Sequence, residues 1–269
     1  MHNFLKICWK IVAAIVTVAF MFIPETLFEQ FKIIQNISDE ANIIIGRIVF
    51  VIAVIVISII LAAIFVLTRR KIVIKGKNYI IQIEYGDLNK VKNCKKVINF
   101  DECYTDELGE APSKIKPTSV CGQYLQSHPN LDIQKLITEN KIKPARAKSK
   151  FENKTRYNSG TIVPNGDDLL MAFAKLNEDG LATFFSYDEY IDCLATLWKE
   201  IDKYYAQKDV CIPILGSGRT RINYTPQELL DIMIKSYQLS NNKIKKPYKL
   251  RIICRKSDDF SLNKIGENI

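Results

Sequence analysis

Hydrophobic and polar positions divide the chain into two parts near residue 68. Residues 48–67 form an uninterrupted run of 20 positions without a charged side chain. At about 1.5 Å rise per residue, a helix of this length spans a hydrocarbon core of roughly 30 Å. Arg47 precedes the run and Arg69 and Arg70 follow it, where their cations can reach the headgroups. The pattern predicts a transmembrane helix over residues 46–68, with a buried core helix as the alternative.

A first apolar segment, residues 4–23, is also long enough to span a membrane. It could instead be a signal peptide, but no small-residue cleavage site follows, so we interpret it as an uncleaved helix. The connector from Pro24 to Asn42 carries four acidic residues and one lysine, whereas both of its flanks are basic. The positive-inside rule then places both termini in the cytoplasm. Residues 1–70 are therefore predicted to form a two-helix hairpin that crosses the inner membrane twice.

Residues 71–269 change to the alternating patterns that are typical of strands. Isoleucines near alternation, on either side of a glycine turn, predict a β-hairpin over residues 72–83. The segment "KKVINFDECY" predicts a further strand that ends in polar residues, and residues 130–140 predict a short helix. The segment "DDLLMAFAKLNEDGLATFF" predicts a second hairpin with its turn at residues 177–180.

Capping boxes predict where two later helices begin. Ser186 and Glu189 begin an amphipathic helix that runs to about residue 205, with apolar positions at helical spacing. A strand over residues 210–215 leads through a loop to Thr225 and Glu228, which begin a helix that ends near residue 239. The segment "YKLRIICRK" predicts a last strand. This mixture predicts a three-layer α/β/α domain over residues 71–269.

The formal net charge of +9 lies entirely in residues 69–269, because residues 1–68 hold four basic and four acidic residues. A positive surface favours anionic partners such as phosphates or lipid headgroups. Scattered lysines on an ordinary solvated surface explain the same excess. No run resembles a nucleic-acid-binding tract, so we expect no nucleic-acid partner.

Cysteine and histidine usage points away from disulfides and metals. The seven cysteines are an odd number without a CxxC spacing, which is typical of reduced thiols in the cytosol. The two histidines, His2 and His128, do not neighbour cysteines or carboxylates at ligand spacing. We therefore expect no metal site and no metal cofactor.

The stretch "VCIPILGSGRTRINYTPQELL" is the first candidate for chemistry. A strand, a glycine-containing loop and a helix start form a suitable anion site, because glycines let backbone N–H groups approach oxygens. Arg219 and Arg221 could add charge-assisted hydrogen bonds. The loop has neither the Gly-Lys-Ser/Thr of a P-loop nor the G-x-G-x-x-G fingerprint, so a plain turn is the alternative interpretation.

Polar side chains at two strand ends are the second candidate. Asp87 lies just beyond a strand, where its carboxylate could accept a hydrogen bond from an adenine amino group. Asn99 and Asp101 lie at the end of the next strand, where they could reach a ribose. Each is also an ordinary turn residue, since Asp and Asn at strand ends often serve turns.

A resemblance to a known family rests on these segments taken in order. "YGDL", "INFD" and "IPILGSGRTRI" resemble the corresponding segments of the macro domain, a three-layer fold that binds ADP-ribose and its derivatives. With "TSVCGQYL", "PNGDDLLMAFAKLNEDGLATFFSYDEYIDCLATLWKEID" and two preceding membrane helices, the chain resembles the transmembrane macro effectors of type II Thoeris anti-phage systems. The resemblance extends over essentially the whole chain and is most specific over residues 165–222.

The family resemblance implies a ligand and a set of contacts. The ligand is an ADP-ribose derivative, in this family a histidine conjugate, that a partner TIR enzyme makes from NAD. Asp87 and Leu88 are expected at the adenine, and Asp258 or Phe260 at the nucleoside. The diphosphate is expected at Gly216, Ser217, Gly218, Arg219 and Thr220, with Arg221 beside them. The distal ribose or its substituent is expected at Asn99, Asp101, Ser119, Val120, Cys121 and Gly122.

One departure from the family pattern bears on catalysis. Hydrolytic macro domains carry an Asn-Ala-Ala-Asn motif and a following glycine-rich loop, and this chain has "NFDECYTDELGEAPSK" instead. The resemblance then implies binding without turnover, in a homo-oligomeric effector that disrupts the membrane and kills the infected cell. A membrane-tethered ADP-ribosyl hydrolase is one alternative, and a membrane anchor whose basic domain binds lipid or protein is another.

Overall fold

The computed structural model describes residues 2–22, 38–183, 185–218, 223–257 and 260–265. The chain divides into two compact units. One contains the residues up to Arg69 together with those from Asn263 onward, and the other runs from Arg70 to Leu262.

The first unit is built on two helices, α1 (His2–Phe22) and α2 (Asp39–Thr68). They contact each other, and the buried positions of α2 include Ser58 and Ala62, small residues that allow close helix approach. In the described part of the chain, one stretch, Asp39 to Phe65, is long and apolar enough to cross a membrane. The shorter apolar stretch of α1, Cys8–Val18, falls below that length. Most of the predicted connector lies outside the described residues.

α2 begins earlier than predicted and carries an exposed apolar surface. It begins at Asp39, before the predicted start at residue 46, because Asp39 and Glu40 stabilise its first turn against the helix dipole. Large apolar side chains along it are exposed, among them Ile48, Ile52 and Phe65 at more than half of their surface. A contiguous exposed apolar surface of this kind is consistent with a membrane anchor.

The second unit contains a seven-stranded mixed sheet. Its strands are β1 (Lys71–Lys75), β2 (Ile80–Tyr85), β3 (Lys95–Asp101), β4 (Ile162–Asn165), β5 (Asp168–Ala174), β6 (Val210–Pro213) and β7 (Leu250–Cys254). Their order is β1-β2-β7-β6-β3-β5-β4. The five central strands run parallel, and β1 and β4 run antiparallel at the two edges. The predicted hairpin of β1 and β2 and the strands β3, β6 and β7 are confirmed.

Helices cover both faces of this sheet and complete the predicted three layers. The helices are α3 (Val120–Ser127), α4 (Ile133–Glu139), α5 (Tyr187–Tyr204) and α6 (Pro226–Leu239). On one face, α3 and α4 share a core with Phe100 and Leu170. Since successive strand residues point to opposite faces, the buried Val97 and Leu169 point to the face of α5 and α6. Trp198 and Tyr237 join those two helices, with ring centroids 5.0 Å apart.

The predicted second hairpin is confirmed only around its turn. Across the turn at residues 177–180, Leu176 and Ala182 form an isolated antiparallel bridge, and in the described residues the chain after the turn forms no strand that pairs with β5. β5 instead pairs with β3 and with the preceding strand β4, through a turn at Gly166. The physical reason is burial on both faces: β5 is an interior strand, so its apolar run lacks the alternation that would reveal its partner. Sequence patterns also missed β4 and the helix α3.

Both predicted capping boxes are present. The side chain of Thr225 accepts a hydrogen bond from the N–H of Glu228, and the Glu228 carboxylate accepts one from the N–H of Thr225. Ser186 and Glu189 make the same pair of bonds at α5. These caps fix the points at which α5 and α6 begin.

Removing the cap of α6 is expected to lower stability without changing the core. Thr225→Ala should reduce the free energy of unfolding by about 1 kcal/mol, because the first-turn N–H groups lose an acceptor. The matched control is Thr196→Ala, where an exposed hydroxyl bonds only to the carbonyl of Asp192 in mid-helix. Urea unfolding followed by tryptophan fluorescence measures both variants, and equal losses in the two would contradict the role of the cap.

Candidate functional site

A cavity of about 420 Å³ lies where the parallel strands β2, β7, β6 and β3 approach their carboxyl ends. This edge is where open α/β sheets bind ligands, since the loops after parallel strands converge there. The described residues that line the cavity are Gly86, Leu88, Asn99, Ser119, Val120, Cys121, Pro213, Ile214, Gly216, Ser217, Gly218, Pro226, Ile253, Cys254, Arg255, Ser257 and Phe260.

The loop after β6 forms one wall. Gly216 has φ +80°, a left-handed conformation that a side chain would strain. The hydroxyl of Ser217 donates to the carbonyl of Ile214 at 2.7 Å, which closes the turn. From beneath, the buried Tyr190 hydroxyl donates to the carbonyl of Leu215 at 3.0 Å. The core therefore holds this loop in a fixed shape at the edge of the cavity.

The beginning of α3 forms the opposite wall. The hydroxyl of Ser119 caps the helix by accepting the N–H of Gly122 at 2.9 Å. The N–H groups of Val120 and Cys121 precede the first intrahelical bonds, so they lie at the positive end of the helix dipole. A Cβ on Gly122 would lie 2.1 Å from the carbonyl oxygen of Lys116. Only glycine lets residues 116–119 run this close to the helix.

The segment after β7 closes the remaining side. Ser257 and Phe260 form a backbone bridge, in which the N–H of Phe260 donates to the carbonyl of Ser257 at 3.2 Å. Phe260 is 5% exposed and packs edge-on against Tyr85, with ring centroids 5.9 Å apart. The cavity therefore has an apolar, aromatic end beside β2 and β7. At that side, Arg255 supplies a positive charge.

Ionisable groups in the cavity favour an anion. Burial raises the pKa of Cys254 to about 12 and raises that of Cys121 well above its ordinary value, so both thiols are protonated at neutral pH. Among the described lining residues there is no carboxylate and no histidine, and Arg255 is the one cation. The polar groups are otherwise backbone groups, the Asn99 amide and three serine hydroxyls. Such a set can hold phosphate oxygens but supplies no general base.

The structure brings eight of the fourteen predicted site residues to this cavity. They are Leu88, Asn99, Ser119, Val120, Cys121, Gly216, Ser217 and Gly218. Gly122 lies directly behind the α3 wall, where it permits the close approach of Lys116. Arg219, Thr220 and Arg221 lie outside the described residues, as does Asp258.

Asp87 and Asp101 are not brought into the cavity. The carboxylate of Asp87 caps the short 3₁₀ turn that follows β2, where it accepts the N–H of Asn89 at 3.1 Å. The carboxylate of Asp101 is buried and accepts hydrogen bonds from the N–H of Cys103 and from the hydroxyl of Thr105. Burial raises its pKa above the ordinary value despite these bonds. Both are turn residues in this structure, which was the alternative interpretation of each.

Sequence patterns missed most of the wall that follows β7. Ile253, Cys254, Arg255 and Ser257 line the cavity because β7, the last strand of the chain, lies between β2 and β6. No local sequence pattern indicates that β7 lies between β2 and β6. The polar run that follows the strand was the available signal, and it had suggested Phe260. In the described residues, no cluster of three metal-ligating side chains has the geometry of a metal site.

The fold and the cavity define an α/β domain with a cavity suited to an anionic ligand at the carboxyl ends of its parallel strands. The family described as "Thoeris protein ThsA, Macro domain" matches residues 81–255. Thoeris protein ThsA of Bacillus amyloliquefaciens (strain Y2) is 32% identical over 195 residues, which is 68% of this chain and 65% of that protein. The chain belongs to the Thoeris ThsA macro-domain family, as its sequence patterns had suggested. It matches slightly less than two thirds of the length of this relative.

Solved structures with a similar course of the chain are macrodomains from Oceanobacillus iheyensis. The macrodomain with ADP has a TM-score of 0.44 and 12% identity, over 70% of this chain and 90% of that chain. A mutant of the same macrodomain with ADPR has a TM-score of 0.44 and 11% identity, over 70% and 92%. Membership of the family rests on the sequence matches.

A methyl group at Gly122 is expected to disrupt the α3 wall. Gly122→Ala should cost about 1–3 kcal/mol of stability, because the new Cβ meets backbone atoms that cannot rotate away. Gly218→Ala is the matched control, since its Cβ would meet no atom within 4 Å. Thermal unfolding measures the difference, and equal midpoints for the two variants would contradict the close approach.

Burial of the Cys254 thiol predicts a pH dependence. In the unfolded chain this thiol ionises near its ordinary pKa of 9.0, whereas in the folded protein its pKa is about 12. Raising the pH through this window therefore favours unfolding, and the stabilisation is fully present below it. Between about pH 8 and about pH 10, wild type should lose about 1 kcal/mol more stability than Cys254→Ala. Urea unfolding across this range measures it, and parallel curves would contradict the shift.

Proposed function

We propose that this protein is a membrane-anchored sensor and effector that binds an ADP-ribose-derived signal nucleotide in the cavity of its α/β domain. Binding triggers disruption of the membrane and death of the phage-infected cell. The observation that carries the proposal is the cavity itself: a glycine loop and a helix start at the carboxyl edge of the sheet, one arginine, and no lining carboxylate among the described residues.

The order of the strands supports an elongated ligand of this kind. Phe260 and Leu88 lie at the side of β2 and β7, the glycine loop follows β6, and Asn99 belongs to β3. Neighbouring strands are about 4.8 Å apart, so β2 and β3 are separated by roughly 14 Å. An adenine against the aromatic end, a diphosphate at the glycine loop and the distal ribose near Asn99 occupy this distance in that order. The volume lies within the range of small-molecule sites.

Phosphate recognition would use backbone donors more than side chains. Gly216, Ser217 and Gly218 line the cavity and would offer backbone N–H groups, and the first turn of α3 contributes the positive end of its dipole. Arg255 adds a charge that strengthens an ionic contact in a partly desolvated site. The terminal group of the nucleotide, a histidine conjugate by family resemblance, would lie at the β3 side near Ser119.

The lining supports binding without turnover. Hydrolysis of a glycosidic or ester bond needs a group that activates water, and a carboxylate or a histidine is the usual one. The described lining offers two protonated thiols and neutral amides and hydroxyls. An ADP-ribosyl hydrolase is the competing function, and it would require a base from outside this set.

The membrane part of the proposal rests on α2. Its long apolar stretch is largely exposed, and the residues that follow, Arg69 to Lys71, are basic. With α1 it would form a hairpin in the inner membrane with both termini in the cytoplasm. A partner TIR enzyme would supply the signal from NAD, and association of several copies would disrupt the lipid bilayer.

Two glycine variants test nucleotide binding. Gly216→Val places a β-branched side chain at φ +80° beside the cavity, and it should weaken ADP-ribose binding by about tenfold or more. Gly166→Val is the matched control, because Gly166 also has a positive φ (60°) but lies in the β4–β5 turn at the opposite end of the sheet. Isothermal calorimetry on the full chain in detergent micelles gives both affinities. Absence of binding by wild type at millimolar concentration would overturn the proposal.

The same samples separate a sensor from a hydrolase. After incubation with purified wild type, an ADP-ribosylated peptide should be recovered unchanged by mass spectrometry. Release of free ADP-ribose at a rate that Gly216→Val abolishes would establish the hydrolase instead. Equal affinities of wild type and Gly216→Val would place the nucleotide away from the glycine loop, whereas absence of ADP-ribose binding by both would favour a lipid or protein anchor without a nucleotide site.

A further inference from the structure

Tyr85, the last residue of β2, has an unusual position in the chain. The chain crosses between the two compact units at Arg69–Arg70 and again at Leu262–Asn263. The backbone N–H of Tyr85 donates a hydrogen bond of 3.1 Å to the carbonyl of Arg70. The hydroxyl of Tyr85 accepts a hydrogen bond of 3.1 Å from the N–H of Leu262. One residue is therefore bonded to the chain at both crossings.

The first of these bonds follows from the topology of the sheet. β1 runs antiparallel to β2, with Lys71 opposite Glu84, so the chain enters the sheet beside the carboxyl end of β2. The cavity opens at this same edge. If β1 ran parallel to β2, the chain would enter at the other edge, far from the ligand.

Tyr85 also supports the wall of the cavity. Its ring meets the ring of Phe260 edge-on, at an interplanar angle of 85°. The residue after it, Gly86, lines the cavity and donates its N–H to the carbonyl of Cys254 at 3.0 Å. Tyr85 is thus connected to the cavity by a ring contact on one side and by a peptide bond on the other.

A single residue, Tyr85, therefore lies between the cavity wall and both crossings. A ligand that presses on Phe260 or Gly86 must shift the Tyr85 ring or backbone, because packed side chains do not deform independently. A shift of Tyr85 in turn strains or relieves its bonds to Arg70 and Leu262. A ligand changes an equilibrium only through contacts that differ between the two states. Phe260 and Gly86 are such contacts if Tyr85 moves with them.

We propose that Tyr85 couples occupancy of the cavity to the two chain segments that join the α/β unit to the helical unit. Tyr85 is a positioning residue in this scheme: it does not line the cavity, and it acts through Phe260, Arg70 and Leu262. The proposal rests on the proposed function, which supplies a nucleotide for the cavity. It adds the residue through which occupancy of the cavity is transmitted to those two segments.

Tyr85→Phe separates coupling from binding. It removes the hydroxyl that accepts the N–H of Leu262 and keeps the ring that packs against Phe260. The matched control is Tyr205→Phe. Tyr205 caps the end of α5, before the start of β6, so it lies at the amino ends of the parallel strands, opposite the cavity. Both variants are prepared as the full chain in detergent micelles, with ADP-ribose as the probe.

Hydrogen–deuterium exchange with mass spectrometry follows three peptides: residues 213–218 at the cavity, and residues 69–75 and 260–265 at the crossings. In wild type and Tyr205→Phe, saturating ADP-ribose should slow exchange at all three by about fivefold or more. In Tyr85→Phe the cavity peptide should be protected as in wild type. Protection of residues 260–265 should fall to less than half of the wild-type value.

Each other result has a defined meaning. Equal protection of the crossings in wild type and Tyr85→Phe would overturn the coupling role while leaving the proposed function intact. Protection of the cavity without protection of the crossings in wild type would do the same. A loss of ADP-ribose affinity of about tenfold in Tyr85→Phe would make Tyr85 part of the binding wall and overturn the proposal. No protection of residues 213–218 in wild type would overturn the proposed function itself.

Discussion

The insertion of β7 between β2 and β6 is the constraint on which the rest of the α/β unit depends. Leu250 pairs with Ile81 on one side and with Val210 on the other, so the last strand is buried at the centre of the sheet. Parallel neighbours on both sides align the carboxyl ends of β2, β7 and β6. The loops after these strands then converge, and their convergence forms the cavity.

Two glycines shape the walls of the cavity. Gly216 turns the chain with a positive φ, and Gly122 lets residues 116–119 lie against the first turn of α3. The glycine loop and the first turn of α3 thereby lie on opposite sides of the same cavity. Tyr190 holds the first of the two loops by its hydroxyl, so a helix on one face of the sheet fixes a loop at its edge. Contacts within the protein hold both walls, so a ligand that entered the cavity would meet groups that are already ordered.

The contacts of Tyr85 link the cavity wall to the two segments, at Arg70 and at Leu262, where the chain leaves the α/β unit. Antiparallel pairing of β1 with β2 brings the chain into the domain at the ligand edge, and the segment after β7 leaves at the same edge. In the proposed sensor, the ligand contacts and the points where the chain leaves the α/β unit share the end of β2. Because the edge strand β1 begins beside the end of β2, this shared position needs no long-range pathway through the domain.

The sequence by itself determined the apolar length of α2, the capping boxes of α5 and α6, the β1–β2 hairpin and the three-layer class. These depend on periodicity and on interactions within a few residues, which the linear pattern carries. Only the tertiary structure decided that β5 pairs with β4 and that the Asp101 carboxylate accepts hydrogen bonds within its own turn. It also decided that Cys254, Arg255 and Phe260 line the same cavity as the glycine loop. Strand order depends on burial over long sequence separations, and the apolar runs of interior strands are too alike to specify their neighbours.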